Sequence, residues 1–134
     1  MTYRFSPAHD PMDIKEQEYQ SAKEVRFSKF TSCIGVLAKN DEIVTGVHLV
    51  IWSKDETRFD DAAARETVAL LSRYQQVVVI GHTDLWESNL SEQYKYLLSL
   101  IKGPHIINTN DGVYGGRVHN GTFQTYQNGK YVDV

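Results

Sequence analysis

Residues 32–52 read SCIGVLAKNDEIVTGVHLVIW, two apolar runs on either side of the polar cluster 39–42. Both runs are rich in valine, isoleucine and leucine, and a short polar cluster containing asparagine and aspartate is typical of a turn. The pattern therefore predicts a β-hairpin. This hairpin carries the single cysteine of the chain, Cys33, on its first strand and one of the five histidines, His48, on its second.

The register of the hairpin decides which side chains meet. A turn at residues 40–41 makes Cys33 face His48 and makes Gly35 face Gly46. Directly opposed residues of an antiparallel pair have Cα atoms about 4.5–5.5 Å apart, with both side chains on one face of the sheet. We therefore expect the thiol to lie against the imidazole. The two glycines beside them are expected to leave room for a substrate atom.

A cysteine next to a histidine is a candidate nucleophile. Free cysteine has a pKa near 8.5, so only a few per cent is thiolate at neutral pH, and the thiolate is the reactive form. A neighbouring imidazole takes the proton and later returns it to the leaving group. A third group usually orients the imidazole. Thr31 is the first candidate because it shares the face of Cys33, and Ser28 is a second hydroxyl nearby in the sequence.

An alternative interpretation needs no catalysis. Free cysteine is among the most buried residue types, and His48 stands in an apolar run, as a structural histidine would. A one-residue bulge in the hairpin would also separate the pair. In this alternative the chain is a non-catalytic protein-binding module, and Cys33 contributes only to packing.

Composition narrows the class of protein. The chain has 134 residues, with 14 Lys and Arg against 17 Asp and Glu, so it lacks the basic excess of a nucleic-acid binder. It has no apolar segment of membrane-spanning length, and one cysteine excludes an internal disulfide framework. The histidines show no metal-ligand spacing, so we expect no metal or other cofactor. These features favour a cytoplasmic protein. Residues 1–20 lack periodicity and predict a flexible N-terminal arm before a single domain, 21–134.

The middle of the chain predicts two helices around a strand. Residues 60–74 and 91–102 place apolar side chains at helical spacing, and Asp60 is a candidate N-cap of the first helix. Residues 76–81 are apolar on both faces, which is typical of a central strand.

The end of the chain predicts a meander. Asn120-Gly121 and Asn128-Gly129 each separate two β-rich runs, and Asn-Gly is a strong hairpin signal because both residues tolerate positive φ. With seven or eight strands and two helices, the predicted fold is an α/β layered sandwich of mixed, mainly antiparallel strands.

Several segments together resemble the chemoreceptor glutamine deamidase family, CheD. That family has a Gly-Ser-Cys-Val segment followed on the next strand by a histidine, as in TSCIGV and TGVH of this chain. The order of elements matches over residues 24–134. The further segments that carry the resemblance are RFDDAA at 58–63, VIGH at 79–82 and NDGVYGGRV at 110–118. The cytotoxic necrotizing factor toxins, which are also cysteine-histidine deamidases, are a second, more distant resemblance.

The resemblance implies a CheD-like sandwich that hydrolyses a glutamine side chain of a protein substrate to glutamate. Cys33 would be the nucleophile and His48 the general acid and base. The catalytic threonine of the family lies about six positions before its cysteine, where this chain has Phe27. The third residue is therefore sought at Thr31 or Ser28.

Four residues are predicted to bind substrate. Gly35 and Gly46 are the glycines of the hairpin, and Ser32 directly precedes Cys33. His82 follows a predicted strand, and functional residues are common on loops at strand ends. The partner is expected to be a protein that presents a glutamine, in bacterial chemotaxis or, alternatively, as the host target of a secreted or injected toxin.

Overall fold

The computed structural model describes residues 2–134 and contains ten strands and three helices over that range. The strands are β1 (Ser6–Pro7), β2 (Glu18–Ala22), β3 (Glu24–Arg26), β4 (Ile34–Asn40), β5 (Ile43–Leu49), β6 (Gln76–Gly81), β7 (His105–Asn108), β8 (Tyr114–His119), β9 (Thr122–Gln127) and β10 (Lys130–Asp133). The helices are α1 (Asp61–Leu71), α2 (Thr83–Asn89) and α3 (Ser91–Leu100). No helix of residues 2–134 combines the length and apolar character needed to cross a membrane.

Two sheets form an α/β sandwich. The larger sheet has the strand order β1-β2-β5-β4-β6-β7 and is mixed, because β1 runs parallel to β2 and β6 parallel to β7. The smaller sheet, β10-β9-β8-β3, is antiparallel and packs through β3 and β8 on β4 and β5. Helix α1 contacts β5, and α3 packs on α1 and α2. The α/β sandwich predicted from the sequence is confirmed at this level.

The central strand and the first helix follow their sequence patterns. Residues 77–81 of β6 are buried between β4 and β7, as expected for a strand that is apolar on both faces. The Asp60 carboxylate accepts a hydrogen bond from Ala63 N, which makes it the predicted N-cap of α1. The helix ends at Leu71, three residues earlier than predicted. Helix α2 was not predicted, because its seven residues are too few to show helical periodicity.

Both Asn-Gly turns are confirmed. His119 pairs with Thr122 across the first turn, and Gln127 pairs with Lys130 across the second. Both residues of each turn have positive φ, at 51° and 77° for residues 120–121 and at 51° and 97° for residues 128–129. Positive φ at both central positions matches the right-handed twist of the flanking strands.

The segment expected to be a flexible arm is, over its described residues 2–20, instead part of the domain. Residues 6–7 form β1, and β2 begins at Glu18 and pairs with β5. Tyr3 is 2% exposed, and its hydroxyl bridges the backbone of Val50, accepting from the N–H at 2.9 Å and donating to the carbonyl at 2.8 Å. Ile14 is completely buried. Single buried residues such as these produce no periodic pattern of apolar side chains, so the sequence does not indicate that they are buried.

The register predicted for the β4–β5 hairpin is wrong by two residues. Gly35, not Cys33, pairs with His48, because the turn lies at residues 41–42 rather than 40–41. Asp41 adopts the positive φ of 54° that this turn requires. A shift of two residues keeps every side chain on its own face of the sheet. Cys33 lies one residue before β4 and is not part of the ladder. If the register is continued to Cys33, it becomes a diagonal rather than an opposed neighbour of His48 on the same face.

Candidate active site around Cys33

Cys33 lies in the wall of a cavity of about 500 Å³ at the end of the hairpin away from its turn. Its backbone is held on both sides. Ser32 has a left-handed φ of 67° and its carbonyl accepts a hydrogen bond from the Trp86 indole at 3.0 Å, while the Cys33 carbonyl accepts one from His82 N at 2.9 Å. Ser32, a predicted substrate-binding residue, also lines this cavity.

The β4–β6 ladder stops at Cys33 and leaves its amide group free. The His82 carbonyl, which would complete the pair, accepts from Trp86 N in the first turn of α2. Among residues 2–134, the Cys33 N–H therefore has no hydrogen-bond acceptor. A backbone amide without an acceptor, next to a thiol, is the type of group that can stabilise an oxyanion.

The thiol contacts oxygen atoms rather than the imidazole. Sγ lies 3.5 Å from the carbonyl oxygen of Thr31 and 3.9 Å from the Oε2 atom of Glu16. Over the described residues, 2–134, the structure contains no hydrogen bond between the thiol and His48. The side chain is 1% exposed. Burial, reinforced by the carboxylates of Glu16 and Asp111, raises the pKa of the Cys33 thiol to about 12. The thiol is therefore protonated at neutral pH in this conformation.

His48 is enclosed by aromatic rings and held by a backbone oxygen. Its ring lies 4.8 Å from that of Phe30 and 5.5 Å from that of Phe27, centroid to centroid, and the residue is completely buried. Nδ1 lies 2.9 Å from the carbonyl oxygen of Ile14. A carbonyl only accepts, so Nδ1 carries the proton and Nε2 presents a lone pair. Burial lowers the pKa of His48 to about 4 and keeps the ring neutral.

The Nε2 atom of His48 is a buried acceptor without a donor. Within the part of the chain that the structure describes, no hydrogen-bond partner lies near this atom. Leaving a buried polar atom unpaired costs about 1–3 kcal/mol, so each such atom calls for an explanation. His48 Nε2 is one of five in the described residues; the others are on Arg26, Thr57, Tyr94 and Thr109. The ring is thus oriented at one nitrogen and unengaged at the other, which is the state of a general base before reaction.

The imidazole of His48 is oriented by a backbone carbonyl, and neither Thr31 nor Ser28 donates a hydroxyl hydrogen bond to it in the described residues. Thr31 lines the cavity, but its contact with Cys33 is through its carbonyl oxygen. Ser28 contacts this region through its backbone, because Ser28 N donates at 2.9 Å to the Ile14 carbonyl that also accepts from His48. Ile14 lies in the segment interpreted as a flexible arm, and a carbonyl oxygen, which every residue has, gives no signal in the sequence.

The space expected beside the two glycines is occupied. A Cβ atom on Gly35 would lie 2.7 Å from Cζ of Phe27, and one on Gly46 would lie 3.1 Å from Val25 and 3.2 Å from Phe27. The glycines therefore admit the Phe27 ring and not a substrate. The predicted substrate-binding role of Gly35 and Gly46 is corrected accordingly, and the cavity lies on the other side of Cys33, towards Trp52 and Leu85.

His82 belongs to a separate pair. Its Nε2 atom lies 2.5 Å from Oδ1 of Asp111, and its side chain is 18% exposed. It is not among the residues that line the cavity, so its contribution to the site is the backbone hydrogen bond to Cys33.

The cavity brings opposite charges together. Glu16 lies beside the thiol, and Arg58 lies on the loop after β5, where its Nη2 donates to the carbonyl of Asn89 at 2.5 Å. Trp52, at 59% exposure, stands at the rim with the Arg58 guanidinium 5.8 Å from its ring centroid. Glu16 was missed in the sequence because nothing in the pattern connects residue 16 with the hairpin.

The described residues contain no cluster of three or more histidine, cysteine or acidic side chains able to hold a metal ion. In comparisons with known proteins, no family model matches this chain and no curated protein shows significant sequence similarity to it.

Proposed function

We propose that this protein is a cysteine-dependent amidohydrolase that converts a glutamine side chain of a protein substrate to glutamate. The observation that carries the proposal is the state of His48, whose Nδ1 proton is held by Ile14 while the buried Nε2 lone pair has no partner. Cys33 precedes β4 directly, where the continued register makes it a diagonal neighbour of His48, and it lines a cavity. The resemblance to the CheD family supports glutamine as the amide.

The reaction needs only residues at this site. The Cys33 sulfur attacks the carboxamide carbon, and a C–S bond forms while the thiol proton passes to His48 Nε2. The oxyanion is placed at the free N–H of Cys33. The C–N bond then breaks, and ammonia leaves with the proton returned by His48. Water, deprotonated by the same imidazole, hydrolyses the thioester and regenerates the thiol.

Activation requires a change of thiol conformation. In the structure the thiol donates towards Thr31 and Glu16, and its pKa is raised by burial. Diagonal neighbours on paired strands have Cα atoms about 7–8 Å apart, within reach of an imidazole. Rotation of the Cys33 side chain towards Nε2 would replace the contact with Glu16 by the missing hydrogen bond of His48. We propose that substrate entering the cavity favours this rotamer.

Mass spectrometry tests the proposed reaction. The protein is incubated with candidate proteins in water enriched in oxygen-18, so that each hydrolysed glutamine gains about three daltons instead of about one. Glutamine sites labelled by the wild type and by neither Cys33→Ala nor His48→Ala support the proposal. Equal labelling by the wild type and Cys33→Ala would contradict it, as would the absence of labelling on every protein offered.

A non-catalytic binding module is the second candidate. Two observations favour it: the thiol is protonated and 1% exposed, and Trp52 presents 59% of its surface at the rim of the cavity. Exposed tryptophan is a frequent anchor of protein interfaces. If the protein is a binding module, the Cys33→Ala variant should still bind its partner and the Trp52→Ala variant should not. If it is a deamidase, the Cys33→Ala variant should lose the deamidation reaction.

A further inference from the structure

We propose that Glu16 is the specificity-determining residue of the cavity, accepting a hydrogen bond from the N–H of a substrate carboxamide and repelling the carboxylate product. This inference rests on the proposed function, because it assigns the group that recognises the amide beside Cys33. It concerns a residue outside the cysteine-histidine pair, on the segment that the sequence pattern left without a role.

The position of Glu16 is fixed from both sides by His48. Two residues before it, the Ile14 carbonyl accepts from His48 Nδ1 at 2.9 Å. One residue after it, Gln17 N donates to the His48 carbonyl at 2.9 Å. These two hydrogen bonds, one to the imidazole and one to the carbonyl of His48, hold the backbone on both sides of Glu16.

A tight turn directs Glu16 outward from this anchor. Glu18 N donates to the Lys15 carbonyl at 3.0 Å, and the Glu18 side chain accepts from Lys15 N at 3.0 Å, so residues 15–18 form a closed turn. Gln17 occupies its third position with a positive φ of 62°, as in a type II turn. Glu16 is the second residue of the turn, and its Oε2 atom reaches to 3.9 Å from Sγ.

The Glu16 carboxylate is available to a ligand. Its one hydrogen-bond contact within residues 2–134 is the long one with the thiol, and the cation of the same cavity, Arg58, is tied to the Asn89 carbonyl instead. A substrate whose carbonyl carbon approaches Sγ places its NH2 group within reach of Glu16. A carboxylate accepts strongly from such a donor, and it repels the carboxylate formed by hydrolysis.

Two small alkylating reagents test this recognition without any protein substrate. Iodoacetamide carries the carboxamide of a glutamine side chain, and iodoacetate carries the corresponding carboxylate. We expect Cys33 to prefer iodoacetamide more strongly than a model thiol does, and Glu16→Gln to reduce this excess preference about five- to tenfold. The ratio of the two rates is unaffected by a change in the thiolate fraction, since both reagents react with the same thiolate.

Glu56→Gln is the matched control. Glu56 is an exposed carboxylate on the loop that carries Trp52, so its removal changes the charge near the rim without touching the thiol. We expect it to change the ratio by less than about twofold, because an exposed charge at a distance is screened. The rates are measured on folded protein by mass spectrometry of the peptide containing Cys33.

The outcomes separate recognition from catalysis. An unchanged ratio in Glu16→Gln overturns the assignment even if glutamine hydrolysis is observed. A reduced ratio with no hydrolysis of any protein supports the recognition by Glu16 and counts only against the proposed reaction. A folded wild type whose Cys33 reacts with neither reagent also overturns the assignment, because the cavity would then not admit an amide to the thiol.

Discussion

The thiol and the imidazole of the candidate pair belong to one hairpin, Cys33 directly before β4 and His48 within β5, yet their surroundings differ. Cys33 is in the wall of a cavity of about 500 Å³, beside a carboxylate and below an exposed tryptophan. His48 is enclosed by Phe27 and Phe30, and its proton is held by a backbone carbonyl. We refer to these as the open side and the closed side of the site.

The difference separates the two tasks of the site. The closed side fixes the tautomer and orientation of the imidazole, at the cost of an unpaired buried atom. The open side leaves space for a substrate and places charges that can recognise it. We expect changes on the closed side to affect stability and changes on the open side to affect reactivity.

The largest expected effect is the acid sensitivity of the closed side. The pKa of His48 is about 4 in the folded protein against 6.5 for the ordinary group, so the unfolded chain binds its proton more readily. The stability that depends on the neutral ring is complete above pH 6.5 and is lost as the pH falls towards 4. We expect this contribution to reach about 3 kcal/mol. Urea unfolding at pH 7 and pH 4 measures it.

A comparison of two histidine variants isolates this contribution from that of the acidic residues. His48→Gln can keep the hydrogen bond to Ile14 but has no proton to gain, so it should lose less stability on acidification than the wild type. His119→Gln, a change at an exposed histidine, should retain the wild-type dependence. Equal acid sensitivity of all three proteins would show that burial does not lower the pKa of His48.

The next effect concerns the packing of Phe27 against the hairpin. Gly35→Ala places a methyl group against Cε2 and Cζ of the Phe27 ring, well inside van der Waals contact, so we expect a loss of about 2 kcal/mol in the free energy of unfolding. Gly46→Ala, whose new contacts start at 3.1 Å, should cost less. Chemical denaturation at pH 7 ranks the two variants. A neutral Gly35→Ala would mean that this face has room, and the distinction between the two sides would then disappear.

The smallest expected effect is on the open side. Trp52 is 59% exposed, so Trp52→Ala should change the free energy of unfolding by less than about 0.5 kcal/mol. Trp86→Ala is the control, because Trp86 is completely buried and its truncation should cost about 3–5 kcal/mol. Thermal unfolding of both variants makes the comparison. A large loss with Trp52→Ala would assign this side chain to the structure of the domain rather than to a ligand.

Local patterns predicted the elements of the fold well. The two Asn-Gly turns, the N-cap Asp60 and the central strand β6 all follow from signals within a few residues, because turn dihedrals and strand burial are local requirements. The hairpin was predicted correctly, but the register predicted for it was wrong by two residues. The turn at residues 41–42 has a positive φ at Asp41. The polar cluster 39–42 is compatible with a turn at 40–41 or at 41–42, so its composition does not decide between them.

The candidate site was only half predictable. Cys33 and His48 were expected on one face because their separation along the hairpin has the right parity, which a two-residue register error preserves. Since the ladder begins at Ile34, this placement of Cys33 stays a prediction. The contacts that surround them were not. Phe27 fills the glycine gap from another sheet, and the expected hydroxyl partner is replaced by a carbonyl from a segment without periodicity.

The sequence by itself determined that this chain has an antiparallel hairpin with a lone thiol and an imidazole on the same face. Only the tertiary structure decided that Ile14 orients the imidazole, that Phe27 closes the space beside it, and that Glu16 reaches the thiol. The physical reason is the range of the interactions. Strand alternation and turn dihedrals are properties of neighbouring residues. A hydrogen bond from the His48 side chain to a carbonyl 34 residues away depends on how separate segments pack and gives no pattern in the chain.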